Sequence, residues 1–237
     1  MKVLVVPDIH LKLSMFDLAE IAVESDNYDR IVFLGDFCDD WGKERNLGLY
    51  EDTFAILDKF LTDHSNSLVC WGNHDVSYFW HKFESGYSSI SEITVIRCLK
   101  DVQTKHQDKF KFVHMLDNVI FSHGGITQDF VLKYFGKNPG DIDNIVNTIN
   151  TMGDRQLWDN CSPIWARPGY HFYSSGLLQV VGHTPVEIPT MYLEENMLVY
   201  DTFSTYRDGC PVGDQKLIWV DTIEKTWEYV KLDDRVC

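Results

Sequence analysis

The sequence predicts an α/β fold built on a mostly parallel sheet, and three observations carry that prediction. Apolar runs of strand length begin at Lys2, Arg30 and Ser67. Stretches with helically spaced apolar residues separate them, and each run stops at a Gly or Pro beside residues able to bind a metal. Strand, helix, strand, helix, strand is the pattern of right-handed crossovers in a parallel sheet, where sites form outside the carboxyl ends of the strands.

The first strand, Lys2 to Val6, closes at Pro7, after which Asp8 and His10 stand two apart and would face one side in extended backbone. Ser14 is expected to cap a helix through Ser25, with Phe16, Leu18, Ala19, Ile21, Ala22 and Val23 as its inner face. Arg30 to Leu34 then delivers Gly35 and Asp36 at a strand tip. A helix over 49–61 follows from Phe54, Leu57 and Leu61, and Ser67 to Trp71 is a third strand that stops at Gly72-Asn73-His74-Asp75. From Val76 to His106 the pattern is mainly helical, interrupted near Gly86. Lys109 to Met115 and Val119 to Ser122 form a predicted hairpin about Asp117-Asn118, ending at His123-Gly124-Gly125.

Helices are expected at 127–135 and 142–152, so that 127–157 forms a candidate helical cap or insert over the site. Leu177 to Val181 is a strand closing at Gly182-His183-Thr184-Pro185. Met197 to Tyr200, Leu217 to Val220 and Thr226 to Lys231 read as an antiparallel meander. With no low-complexity linker or repeat, the expectation is a single domain over 1–237.

Composition narrows the function. Hydrophobic residues at 44% and aromatics at 14% supply a core and exclude a disordered chain. A net charge of −15 argues against generic nucleic-acid binding, which needs clustered Lys and Arg. Part of that negative charge fits a cation site. Six cysteines (38, 70, 98, 161, 210 and 237) lack a Cys-x-x-Cys pair and are expected to be reduced. The chain enters a strand at once, without room for a leader, and no apolar run nears the roughly 20 residues of a membrane span. A cytoplasmic protein without membrane contact is expected; the oligomeric state is open.

A carboxylate at the end of a buried strand, such as Asp36, is costly unless it has a metal or another partner. The strand ends supply Asp8, His10, Asp36, Asp39, Asn73, His74, His123 and His183. Mixed nitrogen and oxygen donors suit Mn, Fe or Zn better than Ca or Mg. A dinuclear centre needs one carboxylate to bridge ions about 3.5–4 Å apart, and Asp36 is the candidate.

Five motifs, Asp8-x-His10, Gly35-Asp36-x-x-Asp39, Gly72-Asn73-His74-Asp75, Ser122-His123-Gly124-Gly125 and Gly182-His183-Thr184, together resemble the calcineurin-like metallophosphoesterase superfamily. The last two resemble its phosphoprotein-phosphatase branch, the bacterial or phage-type Ser/Thr phosphatases. The resemblance implies a four-layer αββα sandwich, with two mixed β-sheets face to face and helices outside. It implies two divalent or trivalent ions, Mn first and Fe or Zn as alternatives, with Asp8, His10 and Asp36 holding one and Asp36, Asn73, His123 and His183 the other. His74 would protonate the leaving alkoxide while Asp39 orients its imidazole, and Asn73 and His74 would also touch the substrate phosphate. A water bridging the ions, deprotonated near pH 7, would attack in line.

The implied activity is metal-dependent phosphoester hydrolysis, foremost as a Ser/Thr-type phosphomonoesterase acting on a phosphoprotein or small phosphoester. Two departures qualify it. Asp40 stands where the family has its first phosphate-binding arginine, which keeps phosphodiester or dinucleoside polyphosphate hydrolysis open as the alternative. Asp40 could repel a doubly charged monoester or be an exposed acid without effect. Leu11 replaces the glycine that usually follows the first histidine. Arg167, in Trp165-Ala166-Arg167-Pro168-Gly169, resembles the second phosphate-binding arginine and could grip bidentately. Asp75 is expected to be structural. A non-catalytic scaffold of this fold is a third reading, against which His74, Asp39 and the full ligand set argue. His64, His81, His106 and His114 are read as structural or surface residues, and Tyr170 and Phe172 as packing.

Overall fold

The structure is a computed structural model and describes residues 1–231. In chain order it comprises β1 (Lys2–Val6), α1 (Ser14–Ser25), β2 (Arg30–Phe33), α2 (Leu47–Asp63), β3 (Ser67–Cys70), α3 (Asn73–Trp80) and α4 (Glu92–Lys105). Then come β4 (Phe110–Lys111), β5 (Val113–Leu116), β6 (Val119–Ser122), α5 (Gln128–Phe135), α6 (Ile142–Ile149) and α7 (Asp154–Leu157). The chain continues with β7 (Leu178–Val181), β8 (Thr190–Tyr192), β9 (Met197–Val199), β10 (Ile218–Asp221) and β11 (Thr226–Tyr229). Two mixed sheets result, ordered β11-β10-β1-β2-β3-β4 and β5-β6-β7-β9-β8. β1, β2 and β3 pair in parallel, as the alternating pattern predicts.

The period of two along each strand makes the layers. Val3, Val5, Val32, Leu34 and Cys70 point inward and share a core with Val119, Phe121, Leu178, Val180, Leu198 and Tyr200 of the second sheet. Leu4, Val6, Ile31 and Phe33 point outward into a second core with Phe16 and Ala19 of α1 and Leu57 and Phe60 of α2. Because both faces of β1 and β2 are covered, these strands read as unbroken apolar runs. Fully burying such a side chain contributes about 1.5–3 kcal/mol.

Three expectations are corrected. Ser14 does not cap α1; it is the first helical residue, and no side chain caps that end. Lys109 to Met115 is not one strand. It leaves the first sheet after Lys111 and enters the second at Val113, and the Asn150 side chain accepts from the Phe112 and Val113 amides (2.9 and 3.0 Å) where the ladder breaks. The C-terminal strands are not a meander: β9 lies parallel to β7, and β10 and β11 join the other sheet beside β1. Helices α5 and α6 bury Phe130, Val131, Ile145 and Ile149 in the same core as Val113 and Ile120. The five cysteines among the described residues are free, and Cys237 lies outside them. Among the described residues, no helix is long and apolar enough to cross a membrane.

His114 ties the sheets together, its Nε2 donating from β5 to the Val69 carbonyl of β3 (3.0 Å). Burial pushes this imidazole down to about 4 from its usual 6.5. Between those values the unfolded chain binds a proton that the folded chain does not, so stability is lost as pH falls through that window. Urea denaturation should show the wild type losing about 2 kcal/mol more than His114→Gln between pH 7 and pH 5. Equal losses would refute this role.

Candidate active site

The carboxyl ends of β1, β2 and β3 and the loops after β6 and β7 meet at a cleft of about 480 Å³. Its floor is organised by Asp36, which sits in the left-handed region (φ 50°) immediately after Gly35 (φ 101°). A side chain on Gly35 would strike the backbone of Cys70 and Gly72, so only glycine lets these two loops touch. The Asp36 carbonyl accepts from the Ile9 and His10 amides (3.1 and 2.7 Å), and its Oδ1 accepts from the His74 amide (2.9 Å). One residue thus fastens the loops after β1 and β3.

The other carboxylate oxygen of Asp36 faces two histidines, His123 Nε2 at 3.2 Å and His10 Nε2 at 3.8 Å. His10 Nδ1 donates to the Asp39 carbonyl (2.7 Å), and His123 Nδ1 donates to the Leu34 carbonyl (2.9 Å). Each ring is therefore held through Nδ1 with its Nε2 turned toward Asp36. His123 Nε2 also lies 2.9 Å from Asn73 Oδ1 and 3.0 Å from His183 Nδ1. Asp8 Oδ2 accepts from the His183 amide (2.9 Å). The convergence of Asp8 and His10 owes nothing to strand alternation. His10 and Leu11 both have positive φ (43° and 59°), so the chain turns sharply after Asp8 rather than continuing extended.

Six predicted ligands thereby form two groups that share Asp36. Donor atoms of Asp8, His10 and Asp36 lie within 4.8 Å of one another, as do those of Asp36, His123 and His183. Asn73 Oδ1 joins the second group. The residues fit two cations on their own chemistry. Asp8 Oδ1 and His183 Nε2 are buried without a hydrogen-bond partner among the described residues. Burial and the Asp201 charge hold the Asp8 carboxyl well above its ordinary range, while burial and the neighbouring His123 hold His183 well below its own. Asp36 behaves oppositely: burial would raise it, but His123 and His74 hold it below the usual carboxylate range.

His74 stands beside this floor with Nδ1 facing Asp39 Oδ2 (3.1 Å) and Glu84 Oε1 (3.2 Å). The other Asp39 oxygen accepts from the hydroxyls of Tyr50 (2.7 Å) and Tyr78 (2.5 Å), which fix the acid. Burial would lower His74, yet Asp36, Asp39 and Glu84 outweigh it and raise the imidazole to about 10. Glu84 was not foreseen. It also accepts from Asn73 Nδ2 (2.6 Å), which turns Asn73 Oδ1 toward the ligand cluster. It lies in the irregular segment between α3 and α4, where no motif or periodicity marks it. Asp75 is structural as expected, accepting from the amides of Gly72, Phe37 and Cys38.

Arg167 reaches the cleft, anchored by donation to the His183 carbonyl (2.8 Å). Asp40 also lines it, half-buried rather than exposed, with Lys12 Nζ 4.0 Å away. Trp41, Tyr206 and Arg207 complete the rim. None of residues 127–157 lines the cleft, and Tyr170 and Phe172 pack elsewhere.

Gly72 and Gly182 press directly on the two acids: a Cβ at the first would overlap the Asp36 carboxylate, and at the second Asp8 Oδ1. Gly182→Ala should therefore reduce metal affinity roughly 10–100-fold, since the added methyl meets the Asp8 side chain and no backbone atom. Elemental analysis after dialysis against graded Mn²⁺ checks this, and wild-type occupancy in the variant would refute it.

The profile of the calcineurin-like phosphoesterase family matches residues 1–210. No curated protein matches the chain. Among solved structures, a protein serine/threonine phosphatase from Saccharomyces cerevisiae superposes with a TM-score of 0.60 at 13% identity, covering 99% of this chain and 81% of that one. A cold-active protein-tyrosine phosphatase of a psychrophilic Shewanella species gives 0.54 at 15% identity, covering 97% and 80%. At such identity these likenesses bear on the fold. With a family match over most of its length, a two-sheet sandwich and paired ligand groups at the strand ends, the chain belongs to the calcineurin-like phosphoesterase family.

Proposed function

We propose that this phosphoesterase is a phosphomonoesterase of the Ser/Thr protein phosphatase type, acting as one domain in the cytoplasm on a phosphoprotein or small phosphoester. The observation that supports it most is a histidine held by a carboxylate beside two metal-ligand groups in an open cleft. Asp8, His10 and Asp36 would hold one ion, and Asp36, Asn73, His123 and His183 the other. Manganese is the preferred assignment, and iron or zinc suit the same donors. Ions bound there supply Lewis-acid polarisation of the phosphoryl group and lower the pKa of water.

The chain's own groups do the remainder. His74, with Nδ1 engaged by Asp39, carries on Nε2 the proton that the leaving oxygen receives. Asp39 and Glu84 stand at the ring and favour its protonated form. Asp39 and Glu84 orient that ring, and Glu84 also orients the Asn73 amide. Arg167 offers donors to the non-reacting phosphate oxygens from a position set by the His183 carbonyl. Asp40 in the cleft favours a second reading, phosphodiester or dinucleoside polyphosphate hydrolysis, because it stands where a monoester clamp is expected.

Hydrolysis of an aryl monoester, an aryl diester and diadenosine tetraphosphate by the Mn²⁺-loaded protein separates these readings. Faster monoester cleavage is expected; cleavage confined to the other two would reject the leading one. His74→Ala should lower kcat about 10²–10⁴-fold with metal content unchanged. A fully active variant would remove His74 from the chemistry. Chelation should abolish turnover, and Mn²⁺ should restore it.

A further inference from the structure

The acid at position 40 poses a specific question: what supplies the second cation of a phosphate site when the chain has a carboxylate in that place? Asp40 and Trp41 both reach across the molecule to a single residue 164 to 165 positions away. Asp40 Oδ1 accepts from the Thr205 hydroxyl (3.3 Å), and Trp41 Nε1 donates to the Thr205 carbonyl (3.1 Å). Thr205 opens a small hairpin that closes by a bridge to Pro211, with Tyr206 donating to the Cys210 carbonyl and Gly209 to the Tyr206 carbonyl (both 2.9 Å). That turn swings Arg207 back over Trp41, its guanidinium carbon 4.8 Å from the ring centre.

Arg207 consequently lines the same cleft as His10, Asp36, His74 and Arg167. No carboxylate of the described residues lies within ion-pair distance of it, and the adjacent Asp208 is turned to the Cys210 amide (2.9 Å). A guanidinium carried over an indole face, without a carboxylate partner, has donors available to an anion. Asp40 faces the Lys12 ammonium, whose Nζ lies 4.0 Å away with no hydrogen-bond partner of its own among the described residues.

We propose that Arg207 grips the anionic oxygens of the bound phosphoester alongside Arg167, and that Asp40 and Trp41 are positioning residues that hold it there through Thr205. This inference rests on the phosphoesterase reading of the cleft. It turns the departure at Asp40 from a loss into a relocation: the acid anchors the loop that brings a cation from elsewhere in the chain.

Calorimetric binding of orthophosphate and of pyrophosphate to the Mn²⁺-loaded protein tests it, with metal content measured for every variant. Arg207→Ala should weaken one or both anions roughly tenfold to hundredfold, and Arg207→Lys should recover part of that loss. Weakening of orthophosphate places Arg207 on the reacting phosphoryl group; weakening of pyrophosphate alone places it on the neighbouring one. Asp40→Ala should reproduce the Arg207→Ala defect and add little to it in the double variant, whereas Asp40→Asn, which keeps an acceptor for Thr205, should bind like wild type. Unchanged affinity for both anions in Arg207→Ala overturns the inference alone. Tighter binding in Asp40→Asn overturns the anchoring role, since it would show Asp40 acting by charge. A metal-loaded wild type that binds neither anion overturns the phosphoesterase reading, and this inference with it.

Discussion

The buried carboxylate of Asp36 is the constraint on which the site depends. An ionised acid this deep is unfavourable by several kcal/mol unless charges and donors surround it. Here its backbone carbonyl ties down the loop after β1, one carboxylate oxygen ties down the start of α3, and the other faces His10 and His123. Asp36 lies in both ligand groups, so the two are referenced to one side chain. Gly35 and Gly72 are the structural cost of that arrangement, because the two strand-end loops approach too closely for any side chain.

The sandwich makes such a floor available. Parallel β1, β2 and β3 present their ends on one edge of the first sheet, and β6 and β7 present theirs on the adjoining edge of the second. Apolar packing between the inner faces holds those edges in register, and His123 and His183 arrive from the second sheet to complete ligands from the first. The metal-binding floor is thus an interface between sheets, and the stability of the core and the geometry of the ligands are one problem.

Around the floor, two loops distant in sequence meet at Asp40. Asp40 and Lys12 face one another at the cleft wall, and Asp40 and Trp41 fasten Thr205 and with it the hairpin carrying Arg207. Glu84 touches both His74 and Asn73, coupling the orientation of the imidazole to that of the amide.

The sequence by itself determined the parallel half of the fold and the presence of metal-binding residue types at the strand ends. Both are local: unbroken apolar runs follow from burial on two faces, and donor residues stand beside Gly or Pro at strand tips. It did not determine the pairing of β9, the split of 109–115 or the placement of α5 and α6, since short apolar segments read alike whichever sheet or helix they meet. Glu84, Tyr50 and Tyr78 around His74, and Thr205 and Arg207 around Asp40, carry no local signature at all. Only the tertiary structure decided them, because a hydrogen bond between side chains 11 or 165 residues apart depends on where two loops end in space, not on the spacing of either.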